Sequence, residues 1–166
     1  AYAVVAYRTA FLKYYYPCEF MAALLTSVLD NSDKVANYID DCKKNGIEIL
    51  PPNVNLTYKN FTVAPNGKKA IMFGLLAIKN LGHDFIDTII SERESNGQFT
   101  SFYSFCKRVH GKGFNRRAVE SLIKSGALDG LGSNRQEMLV NLSYVIDDLD
   151  STKRRNLDGQ IGFFDL

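Results

Sequence analysis

Two helical stretches about fifty residues apart are each cut by a short turn and restarted at once, which limits what the chain can fold into. The first, GLLAIKNLGHDFIDTIISERESNG, reads as a short helix, a turn at Asn80-Leu81-Gly82, and a longer helix to about Arg93. The second, FNRRAVESLIKSG, has Asn115 as its cap and Gly126 as its stop; a turn through Asp129 follows, and a new helix begins near Asn134. A helix that starts straight after a tight turn leaves backbone N–H groups unpaired at its N-terminus. Those donors and the helix dipole suit a DNA phosphate. Asn80 and Gly82 are residue types that tolerate positive φ, and Lys79 and His83 stand beside them. Lys112, Arg116 and Arg117 open the second unit, and Lys124 lies just before Gly126. One such turn alone reads as an ordinary helix–helix connection. Two in tandem, the second one basic, point to a module that follows a duplex backbone without reading its bases.

The rest of the chain fits a mainly α fold with one small β-hairpin. Residues 2 to 15 lack Gly and Pro, and Val4, Tyr7, Phe11, Leu12 and Tyr15 recur at helical spacing as an apolar face. Pro17 punctuates, and EFMAALLTSVL then reads as a buried helix, apolar nearly all round. DNSDKVANYIDDCKKNG carries its own cap (Asn31 or Ser32) and its own stop (Gly46). IEIL is a strand candidate ending at Pro51-Pro52, and FTVAPNGKKAIMF reads as a hairpin turning at Pro65-Asn66-Gly67. SFYSFCKRV is a connecting helix, and a last helix occupies roughly Arg135 to Leu149. From Asp150 the pattern becomes polar and reads as a flexible linker ending in GQIGFFDL. The expected divisions are 1–73, 74–149 and 150–166.

Charge is informative only locally. The net charge is +2, yet six basic residues lie between Lys107 and Lys124, Arg108 among them, opposed only by Glu120. That is either a solvated helix face or a phosphate-contacting patch, and charge does not separate the two. Three separated cysteines without metal-ligand spacing suggest a reducing, cytoplasmic setting, and His83 and His110 have no Cys-rich neighbourhood that would make a zinc site. No apolar run long enough for a membrane span is present. No paired carboxylates share a helix face, and no nucleophile elbow or phosphate loop is found, so no catalytic residue is assigned. The first residue is not Met, and the chain reads as a piece of a larger protein.

The stretch from AYAVVAYRTAFLKYYYPCEFMAALLTS to ILPPNVN closely resembles the later fingers region of the bacterial DNA polymerase III α subunit family. FGLLAIKNLG, SFYSFCKRV, FNRRAVESLIKSGALDGLG and NRQEMLVNL resemble the tandem helix-hairpin-helix region that follows in that family, so the likeness spans essentially all 166 residues. The resemblance implies double-stranded DNA as a partner. It also implies a short peptide of Gln, two variable residues, an aliphatic or aromatic residue and Phe that docks on the sliding clamp (the β subunit). Gln160-Ile161-Gly162-Phe163-Phe164 fits it, with Phe163 where Leu or Met is more usual. A flexible linker would then let the peptide reach the clamp while the hairpins stay on DNA. The alternative is an apolar tail folded onto the last helix. Asn80 in place of glycine, and Asp84 beside it, make the first hairpin the weaker phosphate site. The family's catalytic carboxylates and their Mg2+ would lie outside these residues. The segment is then a non-catalytic part of a DNA-directed DNA polymerase that meets other replicase subunits through its parent. The second reading is a free-standing helix-hairpin-helix module of a repair protein.

Overall fold

Proline at position 17 sets the first break. The computed structural model describes residues 2–65, 67–111 and 113–161, with the backbone alone for 154–161. Helix α1 (Tyr2–Tyr15) ends where Tyr16 leaves helical geometry (φ −131°, ψ 58°), and α2 (Pro17–Ser27) starts with the proline, whose missing N–H costs nothing there. The helical period of α1 is real, but its apolar stripe is not a core face in this chain. None of its residues is buried, and Val4, Tyr7, Phe11, Leu12 and Tyr15 stay 41% to 69% exposed. The rings pack along the helix instead, Phe11 on Tyr15 at 4.5 Å between centroids.

Two compact units follow from the backbone, residues 1–81 and 82–166. In the first, α2 buries Cys18, Met21, Ala22 and Leu25 against α3 (Ser32–Lys44) and a small sheet. Asn31 caps α3 by accepting the Lys34 N–H at 3.0 Å, and Gly46 ends it at φ 67°. The sheet is larger than the hairpin expected. Strands β1 (Glu48–Leu50), β2 (Thr62–Val63) and β3 (Ala70–Met72) lie in the order β1-β3-β2, with β1 parallel and β2 antiparallel to β3. The two prolines after β1 end its ladder, and the chain returns to place β3 between the outer strands. Alternation divides β3: Ile71 enters the main core with Ile47 and Phe61, while Ala70 and Met72 form a second cluster with Ala64 and Leu50. Of the expected turn at Pro65-Asn66-Gly67, Asn66 lies outside the described residues.

Residues 74–81, placed on sequence grounds with the hairpin region, bond back into the first unit. Leu75 N–H donates to the Tyr58 carbonyl and Leu76 N–H to that of Lys59, each at 3.0 Å, before a single 3-10 turn (Leu75–Ala77).

Among the described residues the second unit has four helices: α4 (His83–Asn96), α5 (Phe102–Val109), α6 (Arg116–Ser125) and α7 (Arg135–Ile161). Phe85, Ile86, Ile89, Phe105, Leu122, Ile123, Leu128 and Met138 are fully buried there. The expectation of a linker from Asp150 is corrected, because α7 continues without interruption to Ile161. Lys, Arg, Leu and Gln are good helix formers and no proline intervenes, so polarity does not stop the helix. The three cysteines are free and buried, and burial pushes the Cys106 thiol up to about 12, which leaves it protonated at neutral pH.

Gly74 has no room for a side chain. A Cβ there would stand 2.5 Å from the Asn60 carbonyl carbon and 2.7 Å from the Phe61 nitrogen, both backbone atoms. Gly74→Ala is expected to destabilise this unit by about 1–3 kcal/mol through overpacking, read by denaturant unfolding; an unchanged midpoint would contradict the packing.

Candidate nucleic-acid interface

The two turns share a fixed register. Ala77-Ile78-Lys79-Asn80-Leu81-Gly82 is followed fifty positions later by Ala127-Leu128-Asp129-Gly130-Leu131-Gly132. In both copies the aliphatic residues are buried, Ile78 and Leu81 in one, Leu128 and Leu131 in the other. The residue before the buried leucine is left-handed in both, Asn80 at φ 65° and Gly130 at φ 91°. Asn80 thus adopts the expected geometry, without a side-chain β-branch to oppose it. Gly82 does not: it is extended (φ −82°, ψ 156°), which any residue can adopt, whereas Gly132 sits at φ 88°.

In the first copy the expected site residues are divided between the compact units. Lys79 and Asn80 are exposed at the end of the first; Gly82 and His83 are exposed at the start of the second. Gly82 precedes α4 with no side-chain cap, so the opening N–H groups have no acceptor from their own helix. The outward side of α4 is acidic, however. Asp84, Asp87 and Glu92 line a shallow depression with Thr88 and Ser91. A phosphate approaching there meets like charge.

The second copy lies wholly in the second unit, and its helices carry side-chain caps and a glycine stop. Asn115 accepts the Ala118 N–H at 2.9 Å and starts α6, whose buried face is Ala118, Val119, Leu122 and Ile123. Gly126 (φ 82°) ends it: its N–H reaches the Ile123 carbonyl at 3.1 Å, and the Ala127 N–H reaches the Leu122 carbonyl at 3.0 Å, the paired bonds of a Schellman stop. Asn134 and Glu137 then form a reciprocal cap on α7. The Asn134 side chain accepts the Glu137 N–H at 2.8 Å, and the Glu137 carboxylate accepts the Asn134 N–H at 3.4 Å. Arg135 folds back over Gly126 and binds Asp129 through two nitrogens, with Nε 2.9 Å from Oδ1. Its guanidinium holds the Asp129 carboxyl below the usual carboxylate range.

The basic count between Lys107 and Lys124 separates into several roles. Arg108 is structural: its guanidinium donates to the carbonyls of Glu92, Gly97 (2.9 Å) and Gln98 (3.3 Å) and lies 4.3 Å over the Phe99 ring. Arg116 and Lys124 both bind Glu120, at 2.8 Å and 3.6 Å, so this ladder carries one net positive charge rather than two. Lys107 and Arg117 are exposed and make no ion pair among the described residues. Lys112 lies outside the described residues, as do Phe163 and Phe164; for Gln160 and Ile161 the backbone alone is described, as the end of α7. Sequence reasoning missed Asp129, Gly130, Gly132 and Arg135. The signal was the six-residue register itself, Asn-Leu-Gly against Gly-Leu-Gly.

Comparisons with known proteins agree with this arrangement. The family model described as "Helix-hairpin-helix motif" matches residues 46–138. The chain is 43% identical over 166 residues to the DNA polymerase III subunit alpha of Neisseria meningitidis serogroup B, covering 100% of this chain and 14% of that protein. The protein of the same name from Borreliella burgdorferi is 43% identical over 164 residues (99% of this chain, 14% of the relative). That from Deinococcus radiodurans is 44% identical over 162 residues (98% and 12%). The chain therefore spans a small part of the length of the curated relatives it matches.

The Gly126 stop can be tested directly. Gly126→Ala combines left-handed strain with an encounter with the Arg135 guanidinium and is expected to cost about 1–2 kcal/mol. Because the Asp129 pKa is depressed, its contribution is present above the unfolded carboxylate pKa and fades as pH falls through the lower folded value. Asp129→Asn should therefore flatten the acid limb of the stability profile and leave the neutral shape unchanged; an identical acid limb would contradict the pairing.

Proposed function

The chain belongs to the helix-hairpin-helix motif family, and on that premise we propose that it is the non-catalytic, duplex-holding segment of a replicative DNA polymerase α subunit. The observation that carries the reading is the repeated turn, in which a left-handed residue, a buried leucine and a glycine lead into a helix N-terminus at a spacing of fifty residues. Such N-termini present N–H donors and a positive dipole end to a phosphate, and two of them match a backbone that repeats. In this proposal residues 1–73 belong to the fingers, 74–149 grip product duplex, and 150–166 reach the clamp. The second hairpin carries most of the phosphate contact, through Arg116, Arg117, Lys124, Lys112 and the Gly126 turn. The first contributes Lys79, Asn80, Gly82 and His83 against the opposition of the α4 carboxylates.

The parent's reaction, templated nucleotidyl transfer with Mg2+, is assigned to residues other than these. No chemical step is placed on this chain. Gln160, Ile161, Phe163 and Phe164 are proposed as the clamp anchor, with the two phenylalanine rings for a pocket and the Gln160 amide for register. Joint attachment to DNA and clamp would raise the effective concentration of each. Other replicase subunits would meet this segment through the rest of the protein.

Anisotropy titrations with a short duplex over a range of salt test the first part. Replacing Arg116 and Arg117 by Ala should weaken binding equally for unrelated sequences and lower the salt slope by about 1 for each phosphate left without its arginine; Lys79→Ala should do less. Affinity and slope unchanged in the double variant would remove the duplex role from α6. The clamp anchor needs its own measurement. Gln160→Ala with Phe164→Ala should abolish binding to a purified sliding clamp and spare duplex binding, and retained clamp binding would reassign the tail.

A further inference from the structure

The second unit has a face for which DNA contact supplies no role. From Gln136 to Thr152, α7 contains no Lys or Arg but carries Glu137, Asp147, Asp148 and Asp150. On this helix Val140 and Tyr144, one turn apart, are 73% and 76% exposed. Tyr103 of α5 is tied to the same helix: its hydroxyl donates to Asp148 Oδ2 at 2.9 Å. Next to this strip Ser143, Asp147 and Asp150 line a cleft of about 370 Å³ together with His110 and Phe114. His110 Nε2 is 3.1 Å from Asp150 Oδ1, and its ring stands edge-on to Phe114 with centroids 5.0 Å apart. Arg116 borders the cleft as well, but its Nε is bound to Glu120 at 2.8 Å. The Asp147 carboxylate makes no ion pair among the described residues.

Carboxylates beside an aromatic ring are the groups that receive a guanidinium or an ammonium. The oxygens accept its N–H groups, and the ring is attracted to the cation. The same oxygens repel phosphate. An adjacent strip of valine and tyrosine removes apolar surface from water, and tyrosine and arginine are the residues on which interfaces most often depend.

We propose that this face of α7 is a docking surface for a basic, apolar polypeptide segment of a partner protein, which places an arginine or lysine side chain in the cleft at Asp147 and Asp150 and packs apolar side chains on Val140 and Tyr144. Charge complementarity selects the occupant. An acidic, apolar strip on a helix fits a basic amphipathic helix laid along it, with apolar residues one turn apart.

The test is an NMR titration of the isotope-labelled chain. The probe is a synthetic helical peptide carrying two leucines one turn apart and an arginine on the next turn. The peptide should shift Val140, Tyr144, Asp147, His110 and Phe114. Exchanging its arginine for citrulline, or Asp147→Asn in the chain, should each weaken binding about tenfold. Asp147 is exposed, so the variant's spectrum elsewhere should match the parent and report an intact fold. Absence of shifts at millimolar peptide, or equal binding of the citrulline peptide, overturns the proposal. So does a DNA duplex that moves these residues more than the peptide does. Shifts that depend on protein concentration alone would assign the face to a second copy and overturn it equally.

Discussion

A helix can be followed closely by another only if something satisfies the carbonyls at its end. The second unit depends on two solutions to that constraint. At the end of α4 the chain turns away at Gly97 (φ 75°, ψ 178°), and Arg108 reaches across from α5 to donate to the carbonyls of Glu92, Gly97 and Gln98. At the end of α6, Gly126 turns left-handed, so that two backbone N–H groups close the helix on itself. One end is closed by a side chain from elsewhere, the other by the conformational freedom of a glycine. With both ends closed, α5 and α7 can pack their apolar faces on the core around Phe105 and Met138.

This closure changes the electrostatics of the face. Arg108 has more carbonyl partners than any phosphate contact would offer it, and it is half-buried over Phe99. Arg135 is bound to Asp129, and Glu120 divides its charge between Arg116 and Lys124. The ladder holds the Glu120 carboxyl low, chiefly through its hydrogen bond from Arg116. What is left for a polyanion is a smaller, more localised positive charge than the count between Lys107 and Lys124 suggests. Exposed ion pairs of this kind are weak and exchange partners readily, so Arg116 and Lys124 stay within a phosphate's reach while Arg108 does not.

Much of the fold is legible in the sequence because it is written in local chemistry. Pro17, Asn31, Asn115, Gly46 and Gly126 each end or begin a helix at the boundary their residue type implies. What cannot be read is non-local. IEIL looks like any short strand, and nothing near it says that it will pair with AIM beyond an intervening strand. The apolar period of α1 is identical in form to that of a buried helix, and periodicity alone does not reveal whether a partner is present. The run after Asp150 misleads for a different reason: its polar composition suggests a linker, yet no proline interrupts it and the Lys, Arg, Leu and Gln within it are good helix formers. In the candidate interface, residue types identify the turns, but only the folded chain shows which arginine faces solvent and which faces carbonyls.

The two copies of the turn then illustrate how one scaffold separates into two surfaces. Both bury a leucine directly after a left-handed residue, because that is what returning the chain requires. The positions around the leucine are free of that requirement, and there the copies part. Lys79 in one stands where Asp129 stands in the other, and Asp129 in turn binds Arg135 at the opening of its helix. The helix after the first turn carries Asp84 and Asp87 outward, whereas the second turn is preceded by a helix carrying Arg116, Arg117 and Lys124. Packing fixes the backbone of both turns while charge remains free to vary, so the repeated geometry does not require a repeated ligand. An interface on the second unit can therefore have a basic side on α6 and an acidic, apolar side on α7 without strain on the core between them, because the charged groups sit at positions the core never uses.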